Sequence, residues 1–198
     1  MTLYELGSIL ILGLFSAWIG YGWYFEGRIE QPAYTVKKSF KDFEIREYPS
    51  IIIAETMLTN DDQNSGFRVL ADYIFGNNIS MTAPVINTPN DSQQIKMTAP
   101  VLSNTQTMAF VLPSTFTLDT LPKPVNPAVT LREVPKRTIA VIRFRGYANS
   151  AQVTKKTDQL KAALIQHNLN ANGNVSLAQY NSPFVFPLQR VNEVWIEL

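Results

Sequence analysis

An internal duplication constrains this chain more than any other feature. Ile45-Arg46-Glu47-Tyr48-Pro49 is echoed 86 residues later by Leu131-Arg132-Glu133-Val134-Pro135. The same offset carries Ile53-Ala54 onto Ile139-Ala140, and the start of one helical stretch onto the start of another. Each half reads strand, strand, helix, strands. Two such units are expected to share one core about a pseudo-two-fold axis, as an α+β domain. A second repeat is local: Met81-Thr82-Ala83-Pro84-Val85 returns as Met97-Thr98-Ala99-Pro100-Val101. With Thr88-Pro89-Asn90-Asp91 between them, the copies read as a hairpin with matching ends.

Period-two alternation and β-branched runs predict strands over 34–40, 43–48, 51–58, 79–85, 94–101, 107–112, 128–133, 138–144 and 191–198. Two stretches switch to helical spacing. Over 66–75, Phe67, Leu70, Ala71, Ile74 and Phe75 form one apolar face. Asn64 or Ser65 is placed to cap its start and Gly76 to close its end. Over 151–168, Ser150 is placed as cap, with Val153, Leu160, Ala163 and Leu164 on one face. Pro122, Pro124 and Pro127 cannot occupy a central strand, so 121–127 reads as an extended link between the halves.

The N-terminus is of another kind. Leu6 to Phe25 are 20 residues without a charge. As a helix they span about 30 Å, the hydrocarbon thickness of a bilayer. Trp18, Trp23 and Tyr24 crowd the C-terminal half, as interfacial anchors do. No Lys or Arg precedes the run and no Ala-x-Ala site follows it, which argues against a cleaved signal peptide. The reading is one N-terminal transmembrane helix, residues 1–27, contacting membrane lipid through 6–25, and a domain over 28–198. Arg28, Lys37, Lys38 and Lys41 follow the segment, so the positive-inside rule places that domain on the cytoplasmic side.

Composition removes several chemistries. Zero Cys excludes disulfides, thiolate nucleophiles and Cys-ligated metals. One His excludes multi-His metal sites, and a Ser-His-Asp arrangement would have to use His167 without a Gly-x-Ser-x-Gly elbow. No phosphate-binding Gly loop and no His-Glu-x-x-His motif is present. The net charge of +1 implies no basic face, so nucleic acid is not an expected partner. Arg46-Glu47 and Arg132-Glu133 read as repeated cross-strand ion pairs, and Glu193 and Glu197 as an exposed strand face. No residue argues for an enzyme.

Several of these segments together resemble the SOUL haem-binding protein family. They are Glu44-Ile45-Arg46-Glu47-Tyr48, the first helix running into the paired Met-Thr-Ala-Pro-Val segments, and Phe110-Val111-Leu112-Pro113. Thr117-Leu118-Asp119-Thr120-Leu121-Pro122-Lys123-Pro124 and Arg190-Val191-Asn192-Glu193-Val194-Trp195-Ile196 complete the set. The resemblance covers about residues 32–198 and does not include the N-terminal anchor. It implies a distorted antiparallel β-barrel carrying two helices, built from a duplicated half, and non-covalent binding of haem or a related tetrapyrrole rather than catalysis. It supplies no agreed axial ligand, so fold transfers better than function.

Haem needs an apolar slot, polar or cationic groups for its propionates and, in many proteins, an axial ligand. Phe67, Leu70, Ala71 and Ile74 of the first helix are candidates for the floor of a slot, although the same face could simply cover the sheet. Arg68 is a candidate propionate partner. His167 is the candidate axial ligand, against the plainer reading of a histidine at a helix C-terminus. Met81, Met97, Tyr73, Tyr147 and Tyr180 are further candidates, the methionine faces being better explained as core. The rival is a membrane-tethered module that binds another small effector, or a protein, and no haem.

Overall fold

The computed structural model describes residues 3–26, 29–60, 62–75, 95–171, 173–182 and 184–198. The first Met-Thr-Ala-Pro-Val copy, the expected strand 79–85, its hairpin and Gly76 lie outside these residues. Nine strands form one sheet: β1 (Thr35–Ser39), β2 (Glu44–Tyr48), β3 (Ile51–Met57), β4 (Val101–Ser103), β5 (Thr107–Val111), β6 (Thr130–Val134), β7 (Arg137–Arg145), β8 (Val175–Gln179) and β9 (Val191–Glu197). Three helices accompany it: α1 (Leu3–Glu26), α2 (Gln63–Phe75) and α3 (Ser150–Gln166).

The strand order is β1-β2-β7-β9-β8-β4-β5-β3-β6, with every neighbouring pair antiparallel. That order is the duplication made visible. Exchanging β2 with β6, β3 with β7, β4 with β8 and β5 with β9 returns the same list reversed, once the added edge strand β1 is set aside. The pseudo-two-fold axis therefore runs between β4 and β8. The 86-residue offset is kept in register: Ile53 faces Arg132 in β6, and its counterpart Ile139 faces Arg46 in β2.

The sheet curls without closing. Strands β1 and β6 remain its two edges, so the expected barrel is a half-barrel. Alternation along each strand sends one set of side chains inward and the other out to the helices. Tyr48, Ile53, Ala109, Val111, Val134, Ile139, Val141 and Trp195 form the inner cluster. On the outer surface α2 buries Leu70 and Ile74 over Ala54, Met108, Phe110 and Leu112. Its pseudo-equivalent α3 buries Leu160 and Leu164 over Ile45, Ala140, Ile142, Val194 and Ile196. Each of these four helix side chains is essentially inaccessible, worth about 1.5–3 kcal/mol of burial apiece.

Helix ends differ slightly from expectation. Asp62, not Asn64 or Ser65, caps α2: its carboxylate accepts from the backbone N–H groups of both residues. Asn149, not Ser150, caps α3 by accepting from the Gln152 N–H. The expected strand over 94–101 is non-strand chain at 95–100, with β4 confined to Val101–Ser103. The Ala99–Pro100 peptide in it is cis. Met97 and Val101 pack beneath α2 whereas Ala99 joins the inner cluster, so the three do not share a face. Strand β8 went unpredicted because Val175–Gln179 carries only a short alternation bounded by polar residues.

The N-terminal run is helical throughout α1, 24 residues without a basic residue in the last turn. Among the described residues, no helix is long and apolar enough to cross a membrane. The expected N-terminal helix is thus present, while no transmembrane span is found among the described residues. It does touch the domain: the Trp18 indole N–H donates to the Phe184 carbonyl at 2.6 Å and its ring meets Phe186 edge-on at 5.2 Å.

Candidate functional site: the two ends of a duplicated groove

The inner face of the half-barrel has two pseudo-equivalent ends, which the sequence has furnished differently. At one end stands Arg46, at the other Arg132, its duplicate. The Arg46 end is sealed. Glu193 is fully buried, and Arg46 Nη1 donates to both its oxygens at 3.1 and 3.0 Å. Arg143 Nε, the Tyr180 hydroxyl and the Trp195 indole N–H donate to the same carboxylate at 3.1, 2.7 and 2.8 Å. Arg46 is further held by Glu44 at 2.8 Å and lies 4.3 Å from the Tyr34 ring. Burial opposes its charge, but Glu193 and the bonds to Tyr48 and Glu44 outweigh this and raise its pKa above the ordinary arginine value. Burial pushes the Tyr48 hydroxyl up to about 12 and that of Tyr180 higher still. This end is a polar plug in which, among the described residues, no buried side-chain N or O atom lacks a partner.

This corrects two sequence readings. Glu193 is not on an exposed strand face; it sits opposite Arg143 inside the curl. Nor are the Arg-Glu pairs cross-strand twins. Neighbours in a strand point to opposite faces, so Glu47 pairs with Lys37 and Lys136 outside. Arg132 pairs with Glu55, while Glu133 is bonded by the Ser50 hydroxyl.

The Arg132 end is open. A cavity of about 100 Å³ enters there over an apolar floor of Ile53, Leu102, Ala109, Val134, Ile139 and Trp195. Its rim carries Glu55, Arg132, Arg137 and Glu197. Arg132 makes a two-pronged ion pair with Glu55 at 2.8 and 3.0 Å, and that bond holds the Glu55 carboxyl below the usual carboxylate range. Arg137 is mostly buried and has Glu197 only at 3.8 Å. Its Nε has no hydrogen-bond partner among the described residues.

Across the pseudo-two-fold axis runs a larger groove of about 780 Å³. Gln63 at the start of α2 and Ser150 at the start of α3 flank it, so both helix N-termini face it. Ala148, Val153, Val175 and Leu177 supply its apolar wall. Ser103, Asn104 and Asn174, at the seam of the sheet, contribute to the lining of both this axial groove and the inner cavity. A third groove of about 620 Å³ lies beside Phe116 and Leu118, with Glu30, Asp119 and Glu133 on its lining.

The residues singled out by sequence lie away from these cavities. Leu70 and Ile74 are spent on the core under α2, Ala71 is half-buried, Phe67 meets Phe110 edge-on at 5.3 Å and Arg68 is exposed. His167 is the exposed C-cap of α3, 4.4 Å from the Phe40 ring and 5.8 Å from that of Phe43. α2 and α3 cover opposite halves of the sheet, so these residues are not brought together. Tyr73 is buried and donates to the Pro122 carbonyl; Tyr147 is exposed under Arg190. Arg137, Trp195 and the axial groove were missed, because only the curl of the sheet makes them neighbours.

The haem fit is divided. The axial groove has the 300–1,000 Å³ typical of small-molecule sites. Its neutral amides and hydroxyls and the start of α3, capped by a neutral Asn149, suit carboxylates, whereas the start of α2 is already taken by the Asp62 carboxylate. The third groove has comparable room but an acidic lining that repels propionates. The described lining of the three cavities contains no His, Met or Tyr. The groove thus fits a macrocycle and its acids, and offers the iron no protein ligand.

Comparison with known proteins agrees with the architecture. No match is found among curated proteins. Among solved structures, the C-terminal domain of EcmrR superposes with a TM-score of 0.54 at 9% identity, covering 83% of this chain and 96% of that one. A hydrolase from Listeria innocua superposes with a TM-score of 0.51 at 11% identity, covering 81% and 93%. At such identities the likeness concerns the fold alone. Residues 29–197 match the SOUL heme-binding protein family. The stretch holds both halves of the sheet, α2 and α3, and the chain belongs to that family.

Proposed function

We propose that this protein binds haem or a related tetrapyrrole by packing in the axial groove, performs no chemistry on it, and serves as its carrier, buffer or sensor at a membrane. The family match over 29–197 carries this reading. Two features support it: the groove's volume of about 780 Å³ and its apolar wall between two helix N-termini. Val153, Val175 and Leu177 would hold the macrocycle, while Gln63, Ser150 and Thr154 would receive its carboxylates. Haem, when bound, would supply redox and gas-binding chemistry at iron. α1 attaches the chain to lipid, with the domain on the cytoplasmic side. The uncharged run 6–25, the basic residues that follow it and the exposed Phe184 bonded by Trp18 favour this.

The test is a haemin titration of the full-length chain in detergent, read in the Soret band against a detergent blank. Saturable one-to-one binding is expected, with an unchanged spectrum in His167→Ala and weakened binding in Val153→Glu. A titration that never saturates refutes haem binding; loss of the shifted band in His167→Ala moves the site to the end of α3. Attachment is read by flotation with liposomes, which Ile11→Lys with Leu14→Lys is expected to abolish. The described groove lining holds no iron ligand, which favours a second reading: an iron-free amphiphile in the same groove. Stabilisation by a metal-free porphyrin equal to that by haemin would select it.

A further inference from the structure

We infer that the inner cavity at the Arg132 end is a binding subsite for the carboxylate of a small amphiphile, with Arg137 as its anchor. Two guanidiniums line this cavity, but they are not equivalent. Arg132 is satisfied by the two-pronged bond to Glu55. Arg137 is not: Glu197 stands 3.8 Å from Nη1, beyond hydrogen-bond reach, and Nε is buried without a partner among the described residues. A buried guanidinium edge left unbonded costs stability unless something accepts from it. Burial alone already weakens the charge of Arg137, and Arg132 beside it adds to this while Glu197 opposes it.

The surroundings specify the occupant. Ile53, Ala109, Val134, Ile139 and Trp195 make an apolar floor under the guanidinium. Ser103, Asn104, Asn174 and Ser176 add hydroxyls and amides to the lining. A carboxylate completes the Arg137 fork, a planar acceptor for a planar donor. The attached body rests on the floor. At about 100 Å³ the cavity excludes a whole porphyrin and suits a single ring or short chain. The duplicate of this end gives the same answer from within the protein. There a carboxylate, that of Glu193, fills the position among arginine, tyrosine and tryptophan donors. At the open end the equivalent position on β5 is Thr107, and the acid that stands there instead, Glu55, is taken up by Arg132, so among the described residues no carboxylate comes within hydrogen-bond distance of Arg137. The inference does not depend on haem being the ligand of the axial groove.

The experiment compares phenylacetate with its neutral isostere phenylacetamide, by calorimetric titration of the full-length chain. Phenylacetate is expected to bind saturably and about tenfold or more tightly than the amide, the margin of one charge-assisted bond. Arg137→Gln should reduce it to the level of the amide while the urea midpoint stays within that of the parent. Arg137→Lys, retaining charge without the fork, should fall between. In the unaltered chain the Arg137 Nε–H resonance should shift with phenylacetate and not with phenylacetamide, a readout that survives if the glutamine variant fails to fold. Equal affinity for the two probes, an unmoved Nε–H resonance, or no saturation in the millimolar range overturns the assignment.

Discussion

Replacing Glu193 by Gln tests the sealed end of the groove most directly. The carboxylate accepts from four side chains and is fully buried. Oε2 receives Arg46, Tyr180 and Trp195, and Oε1 receives Arg46 and Arg143. A glutamine must turn its NH₂ toward one of these sets, so at least two donors face a donor. It also leaves Arg46, 4% exposed, with only the Glu44 carboxylate. Removing one member of a buried pair costs about 3–5 kcal/mol. For a domain of this size each kcal/mol moves Tm by about 2–4 °C. The expected fall is therefore roughly 6–20 °C, a large part of a total stability of about 5–15 kcal/mol. Urea unfolding of the full-length chain, followed by circular dichroism, gives the number. Joining Arg46→Met to Glu193→Leu should cost less than the sum of the two single changes, since both charges then leave together. A loss under about 1 kcal/mol in Glu193→Gln, the scale of an exposed pair, would refute the account of a sealed ionic plug.

Two further expectations come from other parts of the sheet. Gly173→Ala should destabilise the domain, because a Cβ there would overlap the backbone carbonyl of Glu197 and force the end of β9 to shift; a urea midpoint unchanged from the parent contradicts this. The Arg132–Glu55 pair should contribute at most about 1 kcal/mol, and with a definite pH dependence. Arg132 depresses the Glu55 pKa in the folded state. The contribution is therefore present above the ordinary value of 4.5 and disappears as pH falls through the depressed one. The stability difference between the parent and Arg132→Gln should close in acid; a constant difference across that range speaks against the pair.

Much of the fold is legible in the chain because it is written twice. The 86-residue echo maps β2 onto β6 and β3 onto β7, which pair as β2 with β7 and β3 with β6 in the palindromic strand order. Leu70 and Ile74, like Leu160 and Leu164, stand out by helical spacing and are core as that spacing implies. The site is harder to read. Val175–Gln179 is too short and too mixed to announce a strand, yet it forms half of the seam on which the axial groove lies. Glu193 looked like an exposed neighbour of Glu197 because period-two reasoning tells which residues share a face, not whether that face turns inward. Arg137 offers no motif at all. Its interest arises from what surrounds it, and those groups come from strands spread in sequence from Ile53 to Glu197.

Strand β4 is three residues long, and its pairing with β8 is where the two halves of the sheet join. A seam so short makes a natural hinge at the middle of an otherwise continuous sheet. The axial groove straddles that hinge, with Gln63 and Gln106 on one leaf and Val153 and Leu177 on the other. Whatever fills it clasps the leaves together, so occupancy should be felt as stiffness of the whole sheet as well as affinity at one spot.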